Sequence, residues 1–167
     1  MYKIVQYEPL GVCAGIGAWN ASTLFFSFKT AAAVCTGNTV SINILLPSAL
    51  NPIAWSLRHK LTCYCLQSIY KGSEKSPLGV LALGALAKEA GFPPGVVNIV
   101  TGDGRTGAML ASHMRINKIS FTGSGFAGKK VQELAAKSNL KRVTLELGGK
   151  SPSIIFEDAD IENALTQ

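Results

Sequence analysis

Two short stretches carry most of the chemistry this sequence offers. Near its end the chain reads Leu145-Glu146-Leu147-Gly148-Gly149-Lys150-Ser151-Pro152, a single carboxylate between leucines and ahead of two glycines. Upstream, the spacing G-x-G-x-x-G occurs twice, as Gly102-Asp103-Gly104-Arg105-Thr106-Gly107 and as Gly123-Ser124-Gly125-Phe126-Ala127-Gly128. Glycines so spaced leave backbone N–H groups bare at a helix start, where the helix dipole favours an anion, so each is a candidate cradle for a pyrophosphate. A glycine-rich β–α turn with no ligand reads the same way, and it is the repetition that favours a nucleotide. In a standard dinucleotide site an acid about 20 residues further on holds the ribose. Behind the first motif no acid stands there; behind the second the nearest is Glu146. Glu146 is therefore open to two jobs, ribose ligand or base.

These motifs need a scaffold that ends strands where helices begin. Pro77 to Ala90 reads as a helix, with Ser76 as N-cap, Pro77 at the first position, and Leu78, Leu81, Ala82, Ala85 and Leu86 on one face. Val96 to Val100 then reads as a strand, Thr106 to His113 as a helix, Lys118 to Phe121 as a strand and Phe126 to Lys137 as a helix. Val143 to Leu147 and Ser153 to Phe156 are further strand candidates, and Asp158 is placed to cap a last helix through Ile161 and Leu165. Leu10 to Phe28 reads as a buried strand and helix, since Asn20, Ser22 and Thr23 interrupt its apolar run. Such alternation predicts an α/β fold with a Rossmann-like, doubly wound parallel sheet.

The chain of 167 residues, 47% of them hydrophobic, has the material for one such domain or a piece of one. Its net charge of +6 is spread thinly, with only Lys129-Lys130 and Lys141-Arg142 adjacent. That pattern is a solvated surface, so neither nucleic acid nor membrane is expected as a partner. Cys13, Cys35, Cys63 and Cys65 lack a zinc-site spacing, so no metal is expected, and reduced thiols point to the cytoplasm; an organelle is also compatible with the sequence.

Five stretches in order carry a resemblance: Tyr7-Glu8-Pro9-Leu10-Gly11-Val12 with Ala18-Trp19-Asn20; Lys71-Gly72-Ser73-Glu74; Gly91 to Asn98; Phe121-Thr122-Gly123-Ser124; and Leu145 to Pro152. With these the chain resembles the NAD(P)-dependent aldehyde dehydrogenase superfamily over everything except Val40 to Tyr70. The resemblance implies an incomplete cofactor-binding domain and the oxidation of an aldehyde to a carboxylic acid. There a cysteine thiolate attacks the carbonyl, hydride passes to the nicotinamide, and water releases the thioester. By the same resemblance Glu146 is the base that deprotonates the water, Asn20 donates to the oxyanion, and Lys29 matches a proton-relay lysine. Lys71 and Glu74 match the pair holding the adenosine ribose, Gly123 and Ser124 the turn beneath the pyrophosphate, and Gly104 and Arg105 the adenine side. Ala18, Trp19, Asn20, Leu147 and Gly148 complete the cofactor set. Glu74 favours NAD, while Lys71 tolerates NADP. Full-length members are expected to be homo-oligomers. Ala21-Ser22 stands here where Phe-Pro is common, and the Gly104 to Gly107 turn is tighter than usual.

No cysteine follows Glu146, where the resemblance puts the nucleophile, so the chain by itself is expected to be inactive. The stretch 41–69 is also atypical: it has two prolines, neither period and half of the cysteines, and it divides a strand expected in the middle of the sheet. A retained intron in a partial gene product and a genuine excursion from the sheet are both compatible with it. Three readings follow. The chain is a piece of an aldehyde dehydrogenase, an NAD-binding module without catalysis, or a truncated product that folds poorly.

Overall fold

The expected alternation of strand and helix is present, and every strand runs the same way. The computed structural model describes residues 3–4, 9–36 and 68–166. Strands β1 (Cys13–Ile16), β2 (Ser68–Lys71), β3 (Val97–Val100), β4 (Lys118–Gly123) and β5 (Arg142–Leu147) alternate with helices α1 (Ser22–Cys35), α2 (Pro77–Glu89), α3 (Gly104–Ser112) and α4 (Gly125–Lys137). A short α5 (Ile161–Thr166) follows. The strands pair in parallel in the order β3-β2-β1-β4-β5. The chain thus builds outward from β1 in one direction and then returns to build in the other. The order reverses between β1 and β4, which is where a doubly wound sheet opens a crevice at the strand ends.

Burial on both faces explains the composition of the inner strands. On one face Leu110 and Ala111 of α3 and Val131 of α4 pack on Ala14, Ile16, Ile69, Ile119 and Phe121. On the other, Phe26 of α1 and Val80 of α2 meet Tyr70, with Val97 and Ile99 beside them. All four residues of β1 and of β2 are buried, as interior strands of a parallel sheet require.

Several expectations are corrected. α2 turns Val80 and Leu83 toward the sheet, while Leu78, Leu81 and Leu86 are exposed. The helix is apolar nearly all round, so periodicity does not choose its face; contact with β3 does. Gly84 lies on that side, and a Cβ there would press on Ile99 Cδ1 at 3.0 Å. Ser76 does not cap α2 with its side chain. Residues 153–156 form no strand, and Ile154, Ile155 and Phe156 are exposed, because β5 pairs only with β4 among the described residues and no ladder extends to them. Asp160, and not Asp158, holds the start of α5, its carboxylate accepting from Asn163 N at 3.2 Å. The atypical stretch 41–69 ends inside the sheet, since Ser68 and Ile69 belong to β2. Residues 41–67, with Cys63 and Cys65, lie outside the described residues.

Candidate active site

β1 and β4 both deliver turns to the same edge of the sheet. After β1 come Gly17 to Asn20, and after β4 come Gly123 and Ser124. Between them lies a cleft of about 1040 Å³ whose walls include Ala18, Trp19 and Asn20 from the first turn and Gly123 and Ser124 from the second. β2 contributes Lys71 with Glu74 behind it, the start of α3 contributes Gly104 and Arg105, and the end of β5 contributes Glu146, Leu147 and Gly148. Every cofactor-binding residue expected from the sequence lines this one cleft, together with Asn20 and Glu146.

Lys29 does not line it. Its side chain leaves α1 into a second cavity of about 520 Å³ and donates to Ser120 Oγ at 2.8 Å. Glu146 lines both cavities, at the end of the edge strand. The Lys29 ammonium is held below its usual range, by burial first and by the like charge of Lys118; the Glu146 carboxylate works against that. Sequence reasoning set Glu146 among apolar neighbours, but in this structure it is exposed, because β5 has a neighbour on one side only among the described residues.

The two glycine turns differ electrostatically. Asp103 caps α3, its carboxylate accepting from Arg105 N and from Arg105 Nε, both at 2.9 Å. These bonds hold its pKa below the usual range, the backbone N–H of Arg105 first. The start of α3 thus already holds a carboxylate, itself paired with the Arg105 guanidinium. Ser124 caps α4 with a neutral hydroxyl that accepts from Ala127 N at 3.3 Å, which leaves the helix field open to an anion. Packing separates them too. A Cβ at Gly128 would sit 2.7 Å from Leu147 Cδ2, so the third glycine of the second motif permits α4 to approach β5; at Gly107 the nearest side-chain atom is an ordinary 3.6 Å away.

Lys71, almost fully buried, donates to Glu74 Oε2 at 3.2 Å. Glu74 is held below the ordinary carboxylate range by its own backbone N–H and then by Lys71. An acceptor and a cation are thus set side by side at the mouth of the cleft.

Among the described cysteines, Cys13 begins β1, buried, its thiol pushed up by desolvation, and Cys35 ends α1, exposed. Both are at the opposite ends of their elements from the turn that holds Asn20. No group of three or more acids, histidines and cysteines could hold a metal among the described residues, and no helix there is long and apolar enough to cross a membrane. Sequence reasoning missed Lys130, which lines the cleft from α4 with its Nζ 4.4 Å from the ring centre of Phe126. The signal was present, since the two are four residues apart on one helix face.

Known proteins fit this arrangement. The sequence pattern of the aldehyde dehydrogenase family matches residues 1–55 and 48–167. Retinal dehydrogenase 2 of Mus musculus is 49% identical over 99% of this chain and 27% of its own length. An aldehyde dehydrogenase of Davidiella tassiana is 43% identical over 99% of this chain and 28% of its own. Among solved structures, lactaldehyde dehydrogenase superposes with a TM-score of 0.76 at 35% identity, covering 95% of this chain and 28% of that one. PnpE in complex with nicotinamide adenine dinucleotide superposes at 0.73 and 41%, covering 95% and 27%. The chain therefore spans about a quarter of the length of the relatives it matches. With the family pattern running along both stretches and the glycine turns standing at the reversal of a parallel sheet, the chain belongs to the aldehyde dehydrogenase family.

Proposed function

We propose that this chain is the dinucleotide-binding part of an NAD-dependent enzyme that oxidises an aldehyde to a carboxylic acid, with Glu146 as base and Asn20 as oxyanion donor. The observation that carries the proposal is the single cleft at the reversal of the sheet, where both residues meet every expected cofactor contact. The residues fit the cofactor: the cleft is large enough for a dinucleotide, and Gly104 opens onto it with nothing within 4 Å of where a Cβ would stand. The neutral turn at Ser124 suits a pyrophosphate better than the turn that Asp103 occupies. Lys71 and Glu74 would hold the adenosine ribose, with Gly104 and Arg105 toward the adenine. Bound there, NAD supplies a hydride acceptor.

The chain's own residues supply orientation and proton transfer. Asn20 has amide hydrogens to offer a developing oxyanion. Glu146, within the field of Lys29, takes a proton from the attacking water. The Glu74 carboxylate, placed to accept from a ribose hydroxyl, would repel a 2′-phosphate, so NAD is preferred over NADP. We place the protein in the cytoplasm, as part of a homo-oligomeric enzyme. The chain forms one partial domain with an interruption at 41–69; the family match falls into two stretches that overlap at residues 48–55, inside that segment, which supports this.

Thermal unfolding with and without millimolar NAD is the test. A rise in Tm that saturates with NAD supports the reading, and no rise counts against it. Sequencing the transcript across codons 36 to 75 and onward past Gln167 shows whether the frame reaches a nucleophilic cysteine.

A further inference from the structure

Neither α1 nor α2 has a side-chain cap, although a serine stands at the start of each. Ser76 is the N-cap residue of α2, where a serine ordinarily accepts from its own helix's N–H groups, and Ser22 is the first residue of α1 after Ala21. Here both hydroxyls reach the carbonyl of Trp19, outside the helices. Ser76 Oγ donates to Trp19 O at 2.9 Å, Ser22 Oγ is 3.1 Å from the same carbonyl, and the two hydroxyls are in contact with each other. Each hydroxyl has one proton. When Ser22 donates to Ser76, Ser76 donates to Trp19 O; when Ser76 donates to Ser22, the Ser22 proton goes to Trp19 O or to Ala18 O at 3.4 Å, so in every arrangement a backbone carbonyl of the turn is held. Behind them Tyr70 of β2, itself buried, donates to Ser22 O at 3.3 Å. It reaches there because Gly17 has no side chain; a Cβ at Gly17 would collide with the tyrosine hydroxyl.

From these contacts we infer that Ser22, Ser76 and Tyr70 form a hydroxyl clasp that positions Asn20; the inference rests on the proposed role of that residue. The link is the peptide plane. The carbonyl of Trp19 and the N and Cα of Asn20 belong to one rigid unit, so holding the carbonyl holds the atom from which the Asn20 side chain departs. Asn20 is exposed and stands in a turn, and the clasp ties that turn to β2 and to the start of α2. It also holds Ala18 and Trp19 against the cleft. Ser22 occupies the first position of α1, where the resemblance commonly has a proline. Proline restrains that position through its ring, whereas Ser22 restrains it through its hydroxyl. The three are positioning residues, and none of them lines the cleft.

The test uses the whole chain with Ser22→Ala, Ser76→Ala and the double substitution, each compared with its Ser→Thr counterpart. Amide hydrogen exchange is read in the peptide covering residues 17–24 and in peptides from β4 and α4, and the NAD dissociation constant is read by calorimetry. The double alanine variant is expected to exchange about fivefold faster in residues 17–24 alone and to bind NAD about fivefold more weakly, with threonine restoring both. Unchanged exchange in residues 17–24 overturns the clasp. Exchange accelerated equally in β4 and α4 also overturns it, since that is loss of fold. Faster exchange with unchanged NAD affinity overturns the positioning role. If the unsubstituted chain binds no NAD, the functional proposal fails by itself, and the exchange data still decide the clasp.

Discussion

Tyr70 is one residue whose environment can be read by titration. Burial pushes its phenol up to about 12, against about 10 for a free tyrosine. Between those values the unfolded chain has released the proton and the folded chain has kept it, so folding stability falls as pH rises through this window. Lys29, Lys118 and Lys141, all held below their usual range, act in the opposite sense as pH rises toward 10.5. The difference between the parent and Tyr70→Phe isolates the tyrosine: the variant should lose less stability from pH 10 to 12, measured by denaturant unfolding. Gly17→Ala should destabilise by about 1–3 kcal/mol, because the buried tyrosine cannot give way, and Tyr70→Leu should restore much of it. At the chemical centre, Glu146→Gln in a longer product carrying a nucleophilic cysteine should lower turnover by about 10²–10⁴-fold and let the acyl-enzyme accumulate as a burst. An unchanged steady-state rate would remove Glu146 from the role of base.

The elements were legible where two signals agreed. β4 and α4 were readable because a β-branched and aromatic run ends in a glycine motif that opens a helix, and the structure differs from the reading by one or two residues. The inward face of α2 was not, since a helix apolar on most sides leaves the choice to its neighbours. Ile154 to Phe156 misled because apolar content does not provide a ladder partner. Motif residues in the cleft were legible through resemblance, whereas the contacts of Ser22 and Ser76 were not, because what matters is where their hydroxyls point, and Ser76 sits where capping is the ordinary use. The start of β2 makes a prediction of its own. Ser68 is buried between β1 and β3 with its Oγ unpartnered among the described residues, as is Thr30 Oγ1 of α1. An orphaned buried hydroxyl costs about 1–3 kcal/mol, so Ser68→Val should stabilise the chain by about 1 kcal/mol in a denaturant titration. A loss of stability there would mean that the hydroxyl has a partner in solution. Gly128→Ala should behave differently: its Cβ meets the end of Leu147, a half-exposed side chain free to rotate, so stability should hold while the cleft wall, and with it NAD affinity, changes.

At the scale of the whole molecule, one sheet order accounts for the site and for the tolerance of its interruption. The reversal between β1 and β4 places the cleft; alternation in the sequence predicted a doubly wound sheet but not where its order reverses. What alternation did not foretell is the exposed end of β5, since a pattern of strands does not say which of them is an edge. The parallel pairing of β1 with β2 also has a consequence in chain statistics. The connection leaves at Ile16 and returns at Ser68, register matched along the whole strand. Removing residues 41–67 would leave residues 37–40 between Thr36 and β2; each doubling of a segment closed between two fixed points costs only about 0.6 kcal/mol, so closure entropy depends weakly on its length. Removing residues 41–68 would also put Val40 directly before Ile69 and take away the orphaned hydroxyl, so this second deletion should be the more stable of the two by about 1 kcal/mol. Ring closure, then, hardly opposes an insertion at this point of the chain: the sheet is nearly indifferent to how long the tether between its first two strands becomes, and selects only on the few residues that land in register.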